Sequence, residues 1–89
     1  MSDSETIRGA WISFHRDKAY PGKTQRWEIK TNDQGVEIGT VRWYGPWRRY
    51  CFLPWEGTVF EEQCLREIAS FCERLTRVHR AALRSVPKQ

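Results

Sequence analysis

From Cys64 onward the residues Cys64, Leu65, Ile68, Phe71, Cys72, Leu75, Val78 and His79 recur at spacings of three and four. Side chains spaced in this way fall on one side of a 3.6-residue helix. The pattern therefore predicts a long amphipathic helix, running to about Leu83, with one wide apolar stripe. Such a stripe has to be covered by another element, and this constrains the rest of the chain more than any other feature. Ahead of the helix, Thr58-Val59-Phe60-Glu61 fits a capping box, in which Thr58 accepts the free amide of Glu61 and Glu61 reaches back. Glu61 and Glu62 sit where a helix dipole favours negative charge, and Pro87 prevents extension.

What precedes the helix reads as strands. AWISFHR (10–16) has the bulky and aromatic content of a first strand, and Pro21-Gly22 marks a turn inside the loop that follows. RWEIKT (26–31) alternates Trp27, Ile29 and Thr31 against Arg26, Glu28 and Lys30, the period of a half-exposed strand. NDQG (32–35) closes a hairpin into VEIGTVRWY, where Gly39 marks a bulge or a close approach by another backbone or ring. Gly45-Pro46 turns the chain again, and WRRYCFLP returns as a further strand ending at Pro54. Arg49, Cys51 and Leu53 share one face of that strand and Arg48, Tyr50 and Phe52 the other, which suggests a strand that is central or covered on both sides. The expected fold is α+β: an antiparallel three- to four-stranded sheet with one long C-terminal helix packed on one face.

The 89 residues suffice for a single domain, 1–89, frayed at 1–6 and 85–89. Its large apolar residues include twelve rings (five Trp, four Phe, three Tyr), which bury enough area each to close a small core. The net charge of +4 lies wholly in residues 41–89, and Arg outnumbers Lys eleven to four, which favours planar bidentate or stacking contacts. Three cysteines form no paired framework, no apolar run approaches a membrane span, and MSDSETIRGA lacks a signal peptide's hydrophobic region. These features fit a cytoplasmic protein that does not engage membranes.

RWYGPWRRY (42–50) is the densest local signal. No acid occurs between Glu37 and Glu56, so the basic charge of this hairpin is not neutralised from within. Trp43 and Phe52 belong to the core on this pattern, while Arg42, Tyr44, Trp47, Arg48 and Arg49 are the candidate partner-binding residues. Trp, Tyr and Arg are the types most enriched at binding hot spots, and rings and guanidiniums also serve single-stranded nucleic acid. A second candidate lies on the helix, where Arg77, Arg80 and Arg84 form a ridge opposite much of the apolar stripe, with Arg66 further back in line. Such a ridge can track phosphates or an acidic partner. The same charges also offset the negative end of the helix dipole without any ligand.

No metal or cofactor is expected. Cys64 and Cys72 are about 12 Å apart along a helix, too far for one zinc, and neither a CxxC nor an HxxxH pair occurs. His15 and His79 are the only histidines, and the sequence has no nucleophile elbow, Gly-rich phosphate loop or carboxylate pair with an evident task, so no catalytic residue is assigned.

The stretches GTVRWYGPWRRYCFLP and TVFEEQCLREIASFCERLTRVHR resemble small uncharacterised proteins of phages and prophages. Those share a Trp-rich hairpin with a WRxYxFxP-like return strand and a helix beginning TxFxxxCLxxIAxF. The matching positions are Gly39, Trp43, Trp47, Arg48, Tyr50, Phe52, Pro54, Thr58, Phe60, Cys64, Leu65, Ile68, Ala69 and Phe71. The resemblance covers roughly half of the chain, leaving out the first 25 residues. It implies a phage accessory protein acting on host machinery or phage DNA, and it transfers no functional residue. The expected function is non-enzymatic binding: docking on a host or phage protein or nucleoprotein complex as adaptor or inhibitor. Direct nucleic-acid binding is the alternative, and a homodimer seam at the aromatic surface is a third use of it.

Overall fold

In the computed structural model, which describes residues 5–84, the chain ahead of the helix forms a five-stranded antiparallel sheet. The strands are β1 (Thr6–Arg8), β2 (Ile12–Arg16), β3 (Arg26–Thr31), β4 (Glu37–Tyr44) and β5 (Arg49–Pro54), and they pair in chain order as a meander. Helix α1 (Glu62–Arg84) follows and packs on one face, giving an α+β fold.

The sheet thus has more strands than the three to four that the sequence suggests. The additional one is β1, which begins at Thr6, within the stretch expected to fray. The Arg16 N–H donates to Glu5 C=O and the Gly9 N–H to Ile12 C=O, both at 2.8 Å, so β1 and β2 are tied at both ends. Three residues with a single apolar side chain are too few to show a period. β2 joins the main sheet through β3, with Phe14 opposite Ile29. The expected frayed segments otherwise lie outside the described residues.

The alternation of β3 is realised: Trp27 and Ile29 are 2% and 0% exposed, while Glu28 and Lys30 lie on the other face. With Ile12, Phe14, Ile38, Val41 and Tyr50 they make the sheet's contribution to the core, and α1 adds Ile68 and Phe71. The Phe71 ring stacks on Phe14 at 4.0 Å and meets the Trp27 edge at 5.0 Å. Full burial of such a side chain is worth about 1.5–3 kcal/mol. Trp43 and Phe52 pack against this core from partly buried positions. Gly39 serves both of its expected purposes. The β3–β4 register shifts between Ile29 and Lys30 beside it, and a Cβ there would lie 2.6 Å from the Phe52 ring.

Three local expectations are corrected. β5 is an edge strand, because β4 pairs with it on one side and α1, not another strand, lies along the other. The helix is capped by Glu61 itself, whose carboxylate accepts the Cys64 N–H at 2.6 Å, while its carbonyl takes the Leu65 N–H. Thr58 instead donates to Trp55 C=O at 2.7 Å. The buried stripe is also narrower than the spacing implies: Leu65 and Val78 are about half exposed, and α1 buries chiefly Ile68 and Phe71.

Candidate functional site

The β4–β5 connection is one turn of 3-10 helix, Gly45–Trp47, closed by Arg48 in the left-handed region at φ 55°. Pro46 suits the first turn because it has no N–H to satisfy there. This geometry leaves Trp47 at the tip, 65% exposed, with its ring edge-on to Tyr44 at 5.1 Å. The Arg49 side chain folds back toward the tip, its Nε donating to Trp47 C=O at 3.4 Å.

Strand alternation separates the hairpin residues as the sequence implies. Val41, Trp43, Tyr50 and Phe52 face α1, Arg42 and Tyr44 project from the opposite side of the sheet, and Arg49, on the outermost strand, sits at the margin where it also borders the helix. There Arg42 lies between Arg26 and Cys51 across the strands. Arg26 is neutralised by Asp17 at 3.1 Å and Glu28 at 3.2 Å, whereas Arg42 forms no ion pair among the described residues.

The helix arginines meet the same hairpin from the other side. The outward N–H of Tyr50 donates to the Thr76 hydroxyl at 2.9 Å, and Arg80 Nη2 donates to Arg48 C=O at 2.7 Å. The ridge is therefore beside the apolar stripe, along the β5 edge, and not opposite it. Between edge and helix lies a cleft of about 560 Å³ whose basic lining is Arg49, Arg77, Arg80 and Arg84. Its floor includes Tyr50, Ala69 and Cys72, and Glu73 is its one acidic lining residue. None of the four arginines forms an ion pair among the described residues. Four like charges with a single carboxylate among them favour an anionic ligand.

Of the expected residues, Arg42, Tyr44, Trp47, Arg48 and Arg66 do not line this cleft; Tyr44, Trp47 and Arg48 form the neighbouring hairpin tip. Arg66 lies on another flank of α1, near β1, and is ion-paired with Glu62 at 3.4 Å. Arg42 stays on the sheet face away from the helix. Sequence reasoning missed Thr76, which ties helix to strand, because a threonine on a helix has no periodic signal of its own. It also missed the concavity, which exists only once the edge position of β5 is known.

The cleft's other polar groups are poor reactants. Burial pushes the Cys72 thiol up to about 12, with Cys51 nearby adding to the shift, so it stays protonated. Burial likewise raises the Tyr50 phenol, whose oxygen accepts the Gln25 N–H at 2.9 Å. His79 tilts against the Trp43 ring at 4.6 Å as a packing residue. Among the described residues no group of three or more His, Cys, Asp or Glu could hold a metal ion. No described helix is long and apolar enough to cross a membrane.

Fold and site together define a small two-layer α+β protein with a basic cleft beside an exposed aromatic pair. Over 66 residues the chain is 33% identical to the "Uncharacterized 9.3 kDa protein" of Acholeplasma phage L2, a match covering 73% of this chain and 83% of that protein. The chain belongs to the family of this phage protein. No family model matches it, and no solved structure does.

Proposed function

We propose that this protein is a non-enzymatic binding module of phage or prophage origin, which docks on an acidic surface of a host or phage protein or nucleoprotein complex as an adaptor or inhibitor. The observation that carries this reading is the convergence of Arg49, Arg77, Arg80 and Arg84 on one cleft without carboxylate partners among the described residues. Trp47 stands at the exposed hairpin tip, supplying the large amphipathic side chain typical of a binding anchor. The apolar floor of Tyr50, Ala69 and Cys72 suits an inserted side chain, and the guanidiniums suit carboxylates around it. We assign the Trp-rich hairpin and the TxFxxxCLxxIAxF helix to the family pattern, since these two segments build the cleft.

A second reading is favoured by the Tyr44–Trp47 pair, whose exposed rings can stack on bases while the arginines meet phosphates. Affinity capture from host lysate with the wild type and with an Arg77→Glu, Arg84→Glu variant tests the docking reading. A partner retained by the wild type and lost by an equally stable variant supports it, and equal capture by both overturns it. Fluorescence anisotropy with single- and double-stranded DNA and RNA tests the second reading. Binding that weakens steeply with salt would replace protein docking by nucleic-acid recognition.

A further inference from the structure

We propose that β1 is a strand-addition site for an extended peptide in which acidic and apolar residues alternate. The two edges of the sheet are finished differently. On β5, Thr76 and Arg80 of the helix take up the outward Tyr50 N–H and Arg48 C=O. On β1, the bonds of Glu5 and Gly9 to β2 fix the phase of the ladder, so Glu5, Ile7 and Gly9 face inward. The N–H and C=O groups of Thr6 and Arg8 then point away from the sheet, and no group among the described residues pairs with them. An open edge of this kind is a template for another strand.

A groove of about 340 Å³ lies beside that edge, between β1 and α1. Ile7, Phe14 and Phe71 give it apolar surface, and Arg66 and Arg74 stand on its helix side. Arg74 lies over the Phe71 ring at 5.5 Å and forms no ion pair among the described residues. Glu67 is the acidic residue of the groove, its Oε1 buried beside Gly9 without a hydrogen-bond partner among the described residues, and Arg66 is held by Glu62, so Arg74 is the groove's unpaired cation. On the other side of the strand, Arg8 also forms no ion pair among the described residues. A sixth strand beside β1 would place alternate side chains over the groove next to Ile7 and the rest beside Thr6 and Arg8. Apolar residues fit the first position and carboxylates the second, with a further carboxylate within reach of Arg74. Backbone bonds would supply affinity and the alternation specificity, as in other strand-addition sites.

The probe is a fluorescein-labelled peptide of alternating Glu and Val, with a control of the same composition whose valines are contiguous. Arg8→Pro removes an outward N–H without removing a β1–β2 bond, and Arg8→Lys keeps both N–H and charge. The expected result is saturable binding of the alternating peptide, weakened at least about five- to tenfold by Arg8→Pro relative to Arg8→Lys, for loss of one hydrogen bond together with the charge at this position. Arg77→Glu with Arg84→Glu should leave this binding unchanged, which separates the edge from the basic cleft. No saturable binding, equal binding of the control, or equal affinity of the two Arg8 variants overturns the proposal. If Arg8→Pro fails to fold, amide exchange of the wild type decides. Peptide-induced protection of Thr6 and Arg8 supports strand addition, and its absence overturns it. A dimer in sedimentation equilibrium that Arg8→Pro abolishes would assign the edge to a second copy of this chain and also overturn the peptide proposal.

Discussion

The hydroxyl of Thr76 accepts the backbone N–H of Tyr50 at 2.9 Å, so one helix side chain supplies what a sixth strand would otherwise supply to β5. The bond is part-buried, and its loss leaves the donor without its partner. Thr76→Val keeps the shape and removes the acceptor, and it should cost about 1–3 kcal/mol. Thr76→Ser should restore most of that loss. Urea unfolding of the two variants checks the energies, and amide exchange at Tyr50 checks the site. Equal stability of Thr76→Val and the wild type would mean that the edge is satisfied in another way.

Arg48 is a non-glycine residue in the left-handed region, at φ 55°. That conformation costs a residue with a Cβ roughly 1–2 kcal/mol. Arg48→Gly relieves it and gives back about 0.5–1 kcal/mol in unfolded-state entropy. The net expectation is a gain of about 0.5–1 kcal/mol, measured by thermal unfolding. The Arg80 bond goes to the Arg48 carbonyl and survives the change. A stability increase combined with weaker partner binding would separate the role of the side chain from that of the turn.

Trp47 carries the opposite expectation. At 65% exposed, its truncation in a Trp47→Ala, Arg48→Ala double variant should change stability by no more than about 1 kcal/mol. The same change should abolish detectable binding of the captured partner, as hot-spot truncation does at about 2 kcal/mol or more. A large fall in melting temperature would show that the tip belongs to the core and would remove it as a binding anchor.

Gly39 pairs with Pro54 at a point where β4 and β5 leave no room for a side chain. A Cβ there would lie 2.6 Å from the Phe52 ring and 2.7 Å from Leu53 C=O. The ring can turn, but the carbonyl is fixed by the ladder, so Gly39→Ala should cost about 1–3 kcal/mol through overpacking. Chemical denaturation measures this cost. Gly39→Ala with Phe52→Leu should recover only the part due to the ring.

What could be read from the sequence follows from which signals are local. The alternation of Trp27 and Ile29, the spacing of Ile68 and Phe71 and the lone Gly39 within a strand each depend on a few neighbouring residues, and each has a direct counterpart in the fold. The edge position of β5 does not, because the strand's own residues look alike whether a strand or a helix lies along its outer side. Tyr50 and Phe52 face the core, and the other face bears Arg49, Cys51 and Leu53 at the sheet's margin. The helix cap moved from Thr58 to Glu61 for a similar reason. Thr58 is held in a turn by Trp55 C=O, a competing local bond that the capping pattern does not reveal. The candidate arginines were legible singly. That Arg49 meets Arg77, Arg80 and Arg84 while Arg42 and Arg66 do not depends on the crossing of α1 over the β5 edge, which has no sequence period.

His15 gives the fold a dependence on pH. Its ring lies between the Thr6 hydroxyl, 3.3 Å from Nδ1, and the Ser13 hydroxyl, 3.1 Å from Nε2. Burial holds its pKa below the ordinary 6.5 and the Lys30 charge adds to this, while cross-strand Glu28 opposes it. A folded pKa below the unfolded one means that the unfolded chain binds the proton more readily. The stability that follows is therefore complete above about pH 6.5 and is lost as pH falls through the lower folded value. Glu61 acts in a separate, more acidic window. Bonds from the Cys64 and Gln63 amides hold its carboxyl below the ordinary 4.5, so its contribution persists above that pH and disappears beneath it. His15→Gln should flatten the stability profile immediately below pH 6.5 and leave the acidic limb in place, whereas Glu61→Gln should do the reverse. Urea midpoints measured across both windows check the assignment, and an unchanged slope below pH 6.5 in His15→Gln would transfer that dependence to another group.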